Sequence, residues 1–114
     1  MYDHILVPTD GSDASQTVIE HAAELAQVHD ATLHGLFVIN TASIADIPMD
    51  SGWEGVNQAL KTEGERALSA VEDAAGDVPL ETEMVDGSPA KEIVRYAADN
   101  DIDIVVMGTH GRSG

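Results

Sequence analysis

Apolar positions along the chain follow two alternating spacings, one typical of buried strands and one typical of amphipathic helices. The run His4-Ile5-Leu6-Val7 is short and continuous, which favours a strand buried on both faces of a parallel sheet. It ends in a turn cluster, Pro8-Thr9-Asp10-Gly11-Ser12, where Ser12 or the adjacent Asp13 is a candidate helix N-cap. Helical spacing of the apolar residues follows, at Ala14, Val18, Ala22, Leu25 and Ala26.

The next stretch predicts a second strand, a second helix and an edge strand. Thr32 to Ile39 is β-branched and apolar, as expected of a strand. An amphipathic helix is predicted from Trp53 to a stop near Gly76, with apolar positions at Trp53, Val56, Leu60, Ala67, Leu68 and Val71. Leu80, Thr82 and Met84 alternate with Glu81 and Glu83, a pattern typical of a half-exposed strand at the edge of a sheet.

The last part predicts one more helix and one more strand. Ser88 and Pro89 are typical of a helix start, with Glu92 near the first turn. The predicted buried face of this helix comprises Ile93, Val94, Ala97 and Ala98. Ile102 to Met107 predicts a buried strand that leads into a glycine-rich loop. The order β-α-β-α-β-α-β predicts an α/β fold, with an open, doubly wound parallel sheet and helices on both faces.

Length and composition predict one domain over residues 1–114. The chain has 114 residues, of which 43% are hydrophobic and only 4% aromatic, so its core is expected to consist mainly of Ala, Val, Ile and Leu. It contains no cysteine, which excludes disulfides and thiolate metal sites. No apolar run approaches the roughly 20 residues that span a bilayer, and the first residues do not resemble a signal peptide. We therefore expect a cytoplasmic protein.

The charge balance restricts the partners. Five basic against 21 acidic residues give a formal net charge of −16. Nucleic acids and anionic membrane surfaces are bound through Lys and Arg, so neither is an expected partner. The acidic side chains on the protein surface repel one another unless salt screens their charges. This favours a halophilic protein adapted to molar intracellular salt. The alternative is an acidic protein of ordinary salt conditions that its charge keeps soluble.

Two loops of special composition follow predicted strand ends, which is where open α/β sheets bind ligands. One is Pro8–Ser12 and the other is Gly108-Thr109-His110-Gly111-Arg112-Ser113-Gly114. Glycine lets backbone N–H groups surround phosphate oxygens, and Arg112 adds a positive charge. The second loop is neither a Walker A loop nor the dinucleotide fingerprint. By composition alone, a phosphate cradle and an ordinary turn are equally compatible with it.

Several ordered blocks resemble the universal stress protein family. His4 to Ser12 is similar to that family's opening strand and loop, and Val106 to Gly114 to its fourth strand and the start of its nucleotide motif. Gly87-Ser88-Pro89-Ala90 and Asp101 to Gly108 fit as well. The resemblance covers the whole chain and implies a Rossmann-like sheet of order 3-2-1-4-5.

The resemblance also implies ATP binding, since one branch of the family carries Gly-x-x-Gly, nine residues, and Gly-Ser/Thr. Gly108 and Gly111 match the first half, near the ribose and the phosphates respectively. Pro8, Thr9 and Asp10 would flank the adenosine, Val38 would contact the adenine and Met107 would line the pocket. His110, Arg112 and Ser113 complete the predicted nucleotide-binding set. The chain stops before the second half of the motif and the fifth strand, so we expect a C-terminally truncated domain, of order 3-2-1-4, or an element supplied by a partner.

Some residues have two interpretations. Asp10 either helps hold a Mg²⁺ ion that ATP brings or, as we favour, caps the turn. No carboxylate pairs with His110, so no catalytic residue is assigned. The histidines lack metal-ligand spacing, so no metal site is predicted, and His34 is interpreted as a core histidine with hydrogen-bond partners.

Together with the two loops, the resemblance implies an ATP-binding regulatory protein of the stress response, a homodimer without fast enzymatic turnover. The alternative is a structural or interaction module of the same family that binds no nucleotide. An ATP pyrophosphatase would need a different first loop, and a phospho-receiver domain would need an acidic pair and a downstream lysine.

Overall fold

A computed structural model of the chain describes residues 1–11, 14–40 and 53–107. The predicted alternation of strands and helices is confirmed in this part of the chain. The candidate N-caps Ser12 and Asp13 lie outside the described residues. The elements are β1 (His4–Thr9), α1 (Ala14–His29), β2 (Thr32–Asn40), α2 (Trp53–Ala75), β3 (Leu80–Gly87), α3 (Pro89–Asp99) and β4 (Ile104–Val105).

The four described strands form one parallel sheet in the order β3-β2-β1-β4, as predicted. β1 pairs with β2 from His4↔Thr32 to Thr9↔Phe37, and with β4 at Ile5↔Ile104 and Leu6↔Val105. β3 pairs with the outer side of β2 and is an edge strand within the described sheet, as its alternating glutamates predict. Because every pair is parallel, the carboxyl ends of all four strands meet at one edge of the sheet.

α1 and α2 cover one face of the sheet. Their core includes Ile19 and Val71, packed against Ile5, Val7 and Leu33 of the two central strands. Gly35 of β2 lets α2 approach closely, since a Cβ at this position would lie 3.1 Å from Cγ1 of Val71. The aliphatic core predicted from composition therefore fills the space between this face and the two helices.

α3 covers the opposite face, and its buried stripe differs from the predicted one. Tyr96 is buried with Leu6 and Leu36. Val94, predicted to be buried, is 69% exposed, and Ala98 is exposed as well. The prediction was wrong because it counted aliphatic residues alone. An inward tyrosine is favourable here because its hydroxyl lies 2.8 Å from Nδ1 of His34.

The final strand is shorter and less buried than the predicted Ile102–Met107. β4 comprises only Ile104–Val105, and both residues are half-buried. The backbone N–H of Ile102 donates to Ala97 O, closing the end of α3 with Asp101 at a φ of 54°, so Ile102 is not free to join the sheet. Within the described residues nothing pairs with the outer side of β4, which leaves its side chains partly accessible.

The helix boundaries follow the predicted signals with one difference. α2 ends at Ala75, and Gly76 follows with a φ of 58°, as a C-terminal glycine should. α3 begins at Pro89 after Ser88, but the Ser88 side chain makes no capping hydrogen bond. Among the described residues, no helix is long and apolar enough to cross a bilayer.

Candidate functional site

Three of the predicted site residues lie at the carboxyl edge on neighbouring strands. Pro8 is near the end of β1, Val38 near the end of β2 and Met107 just after β4. In the sheet register Pro8 is opposite Leu36, and Val38 lies two residues further along β2. Strand alternation places Pro8 and Val38 on the same face as the buried Leu6 and Leu36, which is the face that α3 covers.

This part of the edge is apolar and partly accessible. Pro8 and Val38 are half-buried, and Met107 is 55% exposed, unusually so for a large apolar side chain. Val38 itself packs against the core cluster of Leu6, Leu36 and Tyr96, which fixes the position of its side chain.

Thr9 points to the other face of the sheet, unlike Pro8. Its side chain is 6% exposed, and its Oγ1 accepts a hydrogen bond from the Gly11 N–H at 3.2 Å. The same Oγ1 is 3.2 Å from Oγ of Ser15 at the start of α1. The Thr9 side chain therefore closes the turn between β1 and α1, in which Gly11 has a φ of 80°. Only the backbone of Thr9 is left to face a ligand on the α3 side.

The phosphate-binding half of the predicted site lies outside the described residues. It comprises Gly108, His110, Gly111, Arg112 and Ser113. Asp10 is described and exposed, directly after β1 at the same edge. The structure therefore places Pro8, Val38, Met107 and Asp10 at the carboxyl edge and turns the Thr9 side chain away, while the binding roles of all these residues stay predictions.

A separate cleft of about 370 Å³ opens between α1 and α2 near the end of β1. It lies on the opposite face from Val38, so it is distinct from the apolar edge described above. Its walls are partly polar and include the cationic Arg66, together with Thr9, Gly11, Ser15, Ala67 and Ala70.

Sequence reasoning recognised His34 but missed the side chains it would meet. His34 is 2% exposed in the middle of β2 and has two hydrogen-bond partners, which confirms its interpretation as a satisfied core histidine. Its Nε2 is 3.0 Å from Nδ1 of His4, and its Nδ1 is 2.8 Å from the Tyr96 hydroxyl. The contact between His4 and His34 could have been predicted, because both residues lie at inward positions of adjacent strands. Tyr96, the other partner of His34, could be predicted only by knowing which face of α3 is buried.

Burial shapes the proton affinities of this cluster. It lowers the pKa of His34, although the facing Glu81 carboxylate opposes this effect, and the nearby His4 adds to it. Burial, together with Glu81 and Glu83, raises the pKa of Tyr96 to about 12. The Tyr96 hydroxyl therefore keeps its proton at any physiological pH.

The sheet order, the parallel pairing and the carboxyl-edge residues define a doubly wound α/β protein with Rossmann-like topology. The sequence profile of the universal stress protein family matches residues 1–114. The chain therefore belongs to the universal stress protein family.

Individual relatives agree with this assignment. The chain is 38% identical over 116 residues to universal stress protein MJ0531 of Methanocaldococcus jannaschii, an alignment that covers 100% of this chain and 68% of that protein. The crystal structure of a universal stress family protein from Burkholderia pseudomallei superposes with a TM-score of 0.82 at 28% identity, over 96% of this chain and 83% of that one.

Another similar structure is a universal stress protein crystallised in complex with cAMP. It superposes with a TM-score of 0.70 at 23% identity, over 99% of this chain and 77% of that one. At this identity the likeness establishes the shared fold.

Proposed function

We propose that the chain is a stress-response regulatory protein that binds an adenine nucleotide, ATP in the first place, at the carboxyl edge of its sheet. The observation that carries this proposal is the position of Pro8 in β1, Val38 in β2 and Met107 just after β4 at that edge of three neighbouring strands. The cAMP complex of a related protein supports an adenine nucleotide as the ligand class. That ligand shares the base and the ribose with ATP.

The base and the phosphates have different requirements. Adenine is flat and largely apolar on its faces, which suits a platform of half-buried and exposed aliphatic side chains. In this proposal Val38 contacts the adenine, Met107 lines the pocket, and the Thr9 backbone and Asp10 flank the adenosine. The residues predicted to hold the ribose and the phosphates, with any Mg²⁺ that ATP brings, are Gly108, His110, Gly111, Arg112 and Ser113.

A regulatory role fits this site better than fast catalysis. Hydrolysis needs a positioned base and a group that stabilises the transition state. The sequence pairs no orienting carboxylate with His110, so no residue is assigned to that task. Binding that changes the homodimer or its partners is therefore the proposed output, at most with slow ATP hydrolysis.

A calorimetric titration with Mg-ATP in molar KCl tests the proposal, and two valines of the chain provide a matched pair. Val38→Glu puts a carboxylate on the proposed adenine platform, whereas Val28→Glu adds the same charge at a position on α1 that is 70% exposed. We expect saturable one-site binding by the parent and by Val28→Glu, and at least a tenfold weaker affinity for Val38→Glu. Equal affinities for the two variants would contradict the placement of the base.

A second variant addresses the phosphate half. Gly108→Val should abolish binding by blocking the close approach of the backbone to the ligand, while the circular dichroism spectrum stays unchanged. Undiminished ATP affinity in that variant would rule out the proposed role of the glycine loop. Titration with cAMP in parallel shows whether the triphosphate is needed.

The alternative is an interaction module of the same family that binds no nucleotide. It is favoured if neither Mg-ATP nor cAMP binds to the parent chain.

A further inference from the structure

His4, His34 and Tyr96 form a continuous hydrogen-bonded chain from the start of β1 to the buried face of α3. His34 and Tyr96 are 2% and 7% exposed, whereas His4 is half-buried at the amino edge of the sheet. His4 is therefore the end of the chain that water reaches most easily. His4 lies at the opposite edge of the sheet from the proposed nucleotide site, whereas Tyr96 shares its core cluster with Val38. The hydrogen bonds of the cluster use none of the proposed site residues.

The number of protons fixes the direction of the hydrogen bonds. A neutral imidazole carries one N–H, so His34 can donate to only one of its two partners. If its proton is on Nε2, His34 donates to His4 and accepts from the Tyr96 hydroxyl. If its proton is on Nδ1, His34 accepts from His4 and donates to Tyr96, whose own hydrogen then needs another acceptor.

The first arrangement is the favoured one while both imidazoles are neutral. The Tyr96 hydroxyl is buried and makes no other hydrogen bond among the described residues. In the second arrangement its hydrogen would lose this partner, and an unsatisfied buried donor is costly. His34 should therefore carry its proton on Nε2 when His4 is neutral.

Protonation of the two histidines changes the direction of these hydrogen bonds in two steps. A cationic His4 has a proton on Nδ1, so it can only donate to Nε2 of His34, and the proton of His34 must then be on Nδ1. A second proton gives both facing nitrogens a hydrogen at a separation of 3.0 Å, which eliminates the hydrogen bond between them. It also leaves a cation in a buried position, where the loss of hydration disfavours it.

We propose that His4, His34 and Tyr96 form a proton-operated latch between the sheet and α3. The first proton reverses the hydrogen bonds and weakens the latch, because the Tyr96 hydrogen loses its acceptor, and the second proton releases α3. Release exposes Leu6 and Leu36, the core residues that Tyr96 covers. Because α3 begins at Pro89, directly after the carboxyl end of β3, its release also alters the edge that carries the proposed nucleotide site.

The charges that face the latch come from all the elements around it. Glu81 of β3 is the register partner of His34 and favours the cationic imidazole. Glu81 and Glu83 both act on Tyr96. The Asp103 carboxylate, just before β4, interacts with His4. These anions favour uptake of the second proton, whereas burial of His34 resists it and is the larger effect.

Nitrogen-15 spectra of the imidazoles in the full chain test the first step. As the pH is lowered and the cluster takes up its first proton, the proton of His34 should move from Nε2 to Nδ1. A His34 tautomer that stays the same while the cluster takes up its first proton would overturn the proposal. In His4→Gln the proton of His34 should no longer move with pH.

Hydrogen exchange of the α3 amides tests the second step. In the acid range, protection factors from Ile93 to Asp99 should fall about tenfold per pH unit, the limit for the uptake of one proton on opening. Glu81→Gln should displace this loss to lower pH, because it removes an anion that favours charged His34. His21→Gln, which removes an exposed histidine of α1, should leave the profile unchanged. Protection of α3 that does not depend on pH, or equal effects of Glu81→Gln and His21→Gln, would overturn the proposal.

Discussion

Gly64 of α2 lies so close to Phe37 of β2 that a Cβ on Gly64 would be 2.7 Å from Cδ2 of the ring. The methyl group of Met84 would be equally close, at 2.7 Å. A glycine in the middle of a helix is normally unfavourable, by about 1 kcal/mol relative to alanine. Here it allows α2 to pack directly on β2 and β3, above the cluster of Phe37, Ile39, Ala67 and Leu68.

Replacing this glycine should therefore destabilise the fold. Gly64→Val introduces atoms where the Phe37 ring cannot move easily, so the free energy of unfolding should fall by about 1–3 kcal/mol. Ser69→Val is the matched control, because Ser69 is an exposed position of the same helix, and its effect should stay within about 0.5 kcal/mol. Urea denaturation of both variants measures the difference. Equal stabilities would show that α2 does not approach the sheet this closely.

Tyr96→Phe tests the value of the buried hydroxyl. The substitution keeps the ring and leaves Nδ1 of His34 without its partner, so we expect a loss of about 1–3 kcal/mol in the free energy of unfolding. Tyr2→Phe removes a hydroxyl that makes no hydrogen bond within residues 1–11, 14–40 and 53–107, and it should have little effect. If the two variants lose the same stability in urea, the contact between Tyr96 and His34 contributes nothing specific.

The Asp103 carboxylate joins two strands that are far apart in sequence. Its Oδ2 accepts hydrogen bonds from the backbone N–H groups of Asp3 and His4 at 2.8 and 2.9 Å. These two donors lower the pKa of Asp103 in the folded protein. The carboxylate therefore stabilises the fold fully above its ordinary pKa of about 3.9, and this contribution is lost as the pH falls through the lowered value.

Asp103→Ala should consequently reduce stability at neutral pH, and the difference from the parent should shrink below about pH 4. Asp73→Ala, at an exposed position of α2, provides the control and should cause a smaller loss without this pH dependence. Denaturation curves at pH 7 and pH 3 give both quantities. A difference of the same size at both values would contradict the role of the charged form.

The excess of acidic residues predicts a stabilising effect of salt. A net charge of −16 repels itself in the folded state, and ion pairs such as Arg95–Glu92, at 3.7 Å, join neighbours on one helix and offset little of it. The free energy of unfolding should rise from low to molar KCl. The double variant Glu65→Lys/Glu72→Lys, at exposed positions of α2, should need less KCl for the same stability. A flat response of the parent would rule out adaptation to high salt.

The order of the sheet was predictable because strands and helices alternate in spacing, and parallel crossovers then leave few topologies. The errors concern residues whose environment comes from distant parts of the chain. Tyr96 was overlooked as a core residue because its partner His34 is 62 positions away. Ile102 was assigned to the last strand because its apolar side chain does not reveal that its N–H closes the end of α3.

The site was predictable only in part, for a related reason. The position of Pro8, Val38 and Met107 at one edge follows from the parallel strand order, which the sequence pattern and the family resemblance predict. The direction of the Thr9 side chain does not follow from composition. It depends on strand alternation at the last residue of β1 and on Ser15, whose hydroxyl completes the turn.

The position of β1 in the sheet affects how the protein folds as it is made. β1 is synthesised first among the four described strands, yet it lies between β2 and β4, and its contact from Asp3 to Asp103 spans 100 positions. The side of β1 that pairs with β4 therefore stays unpaired until nearly all of the described chain has left the ribosome. During this time, nascent chains can associate through the exposed strand edge. The negative charge carried by the intervening helices keeps such chains apart during that interval.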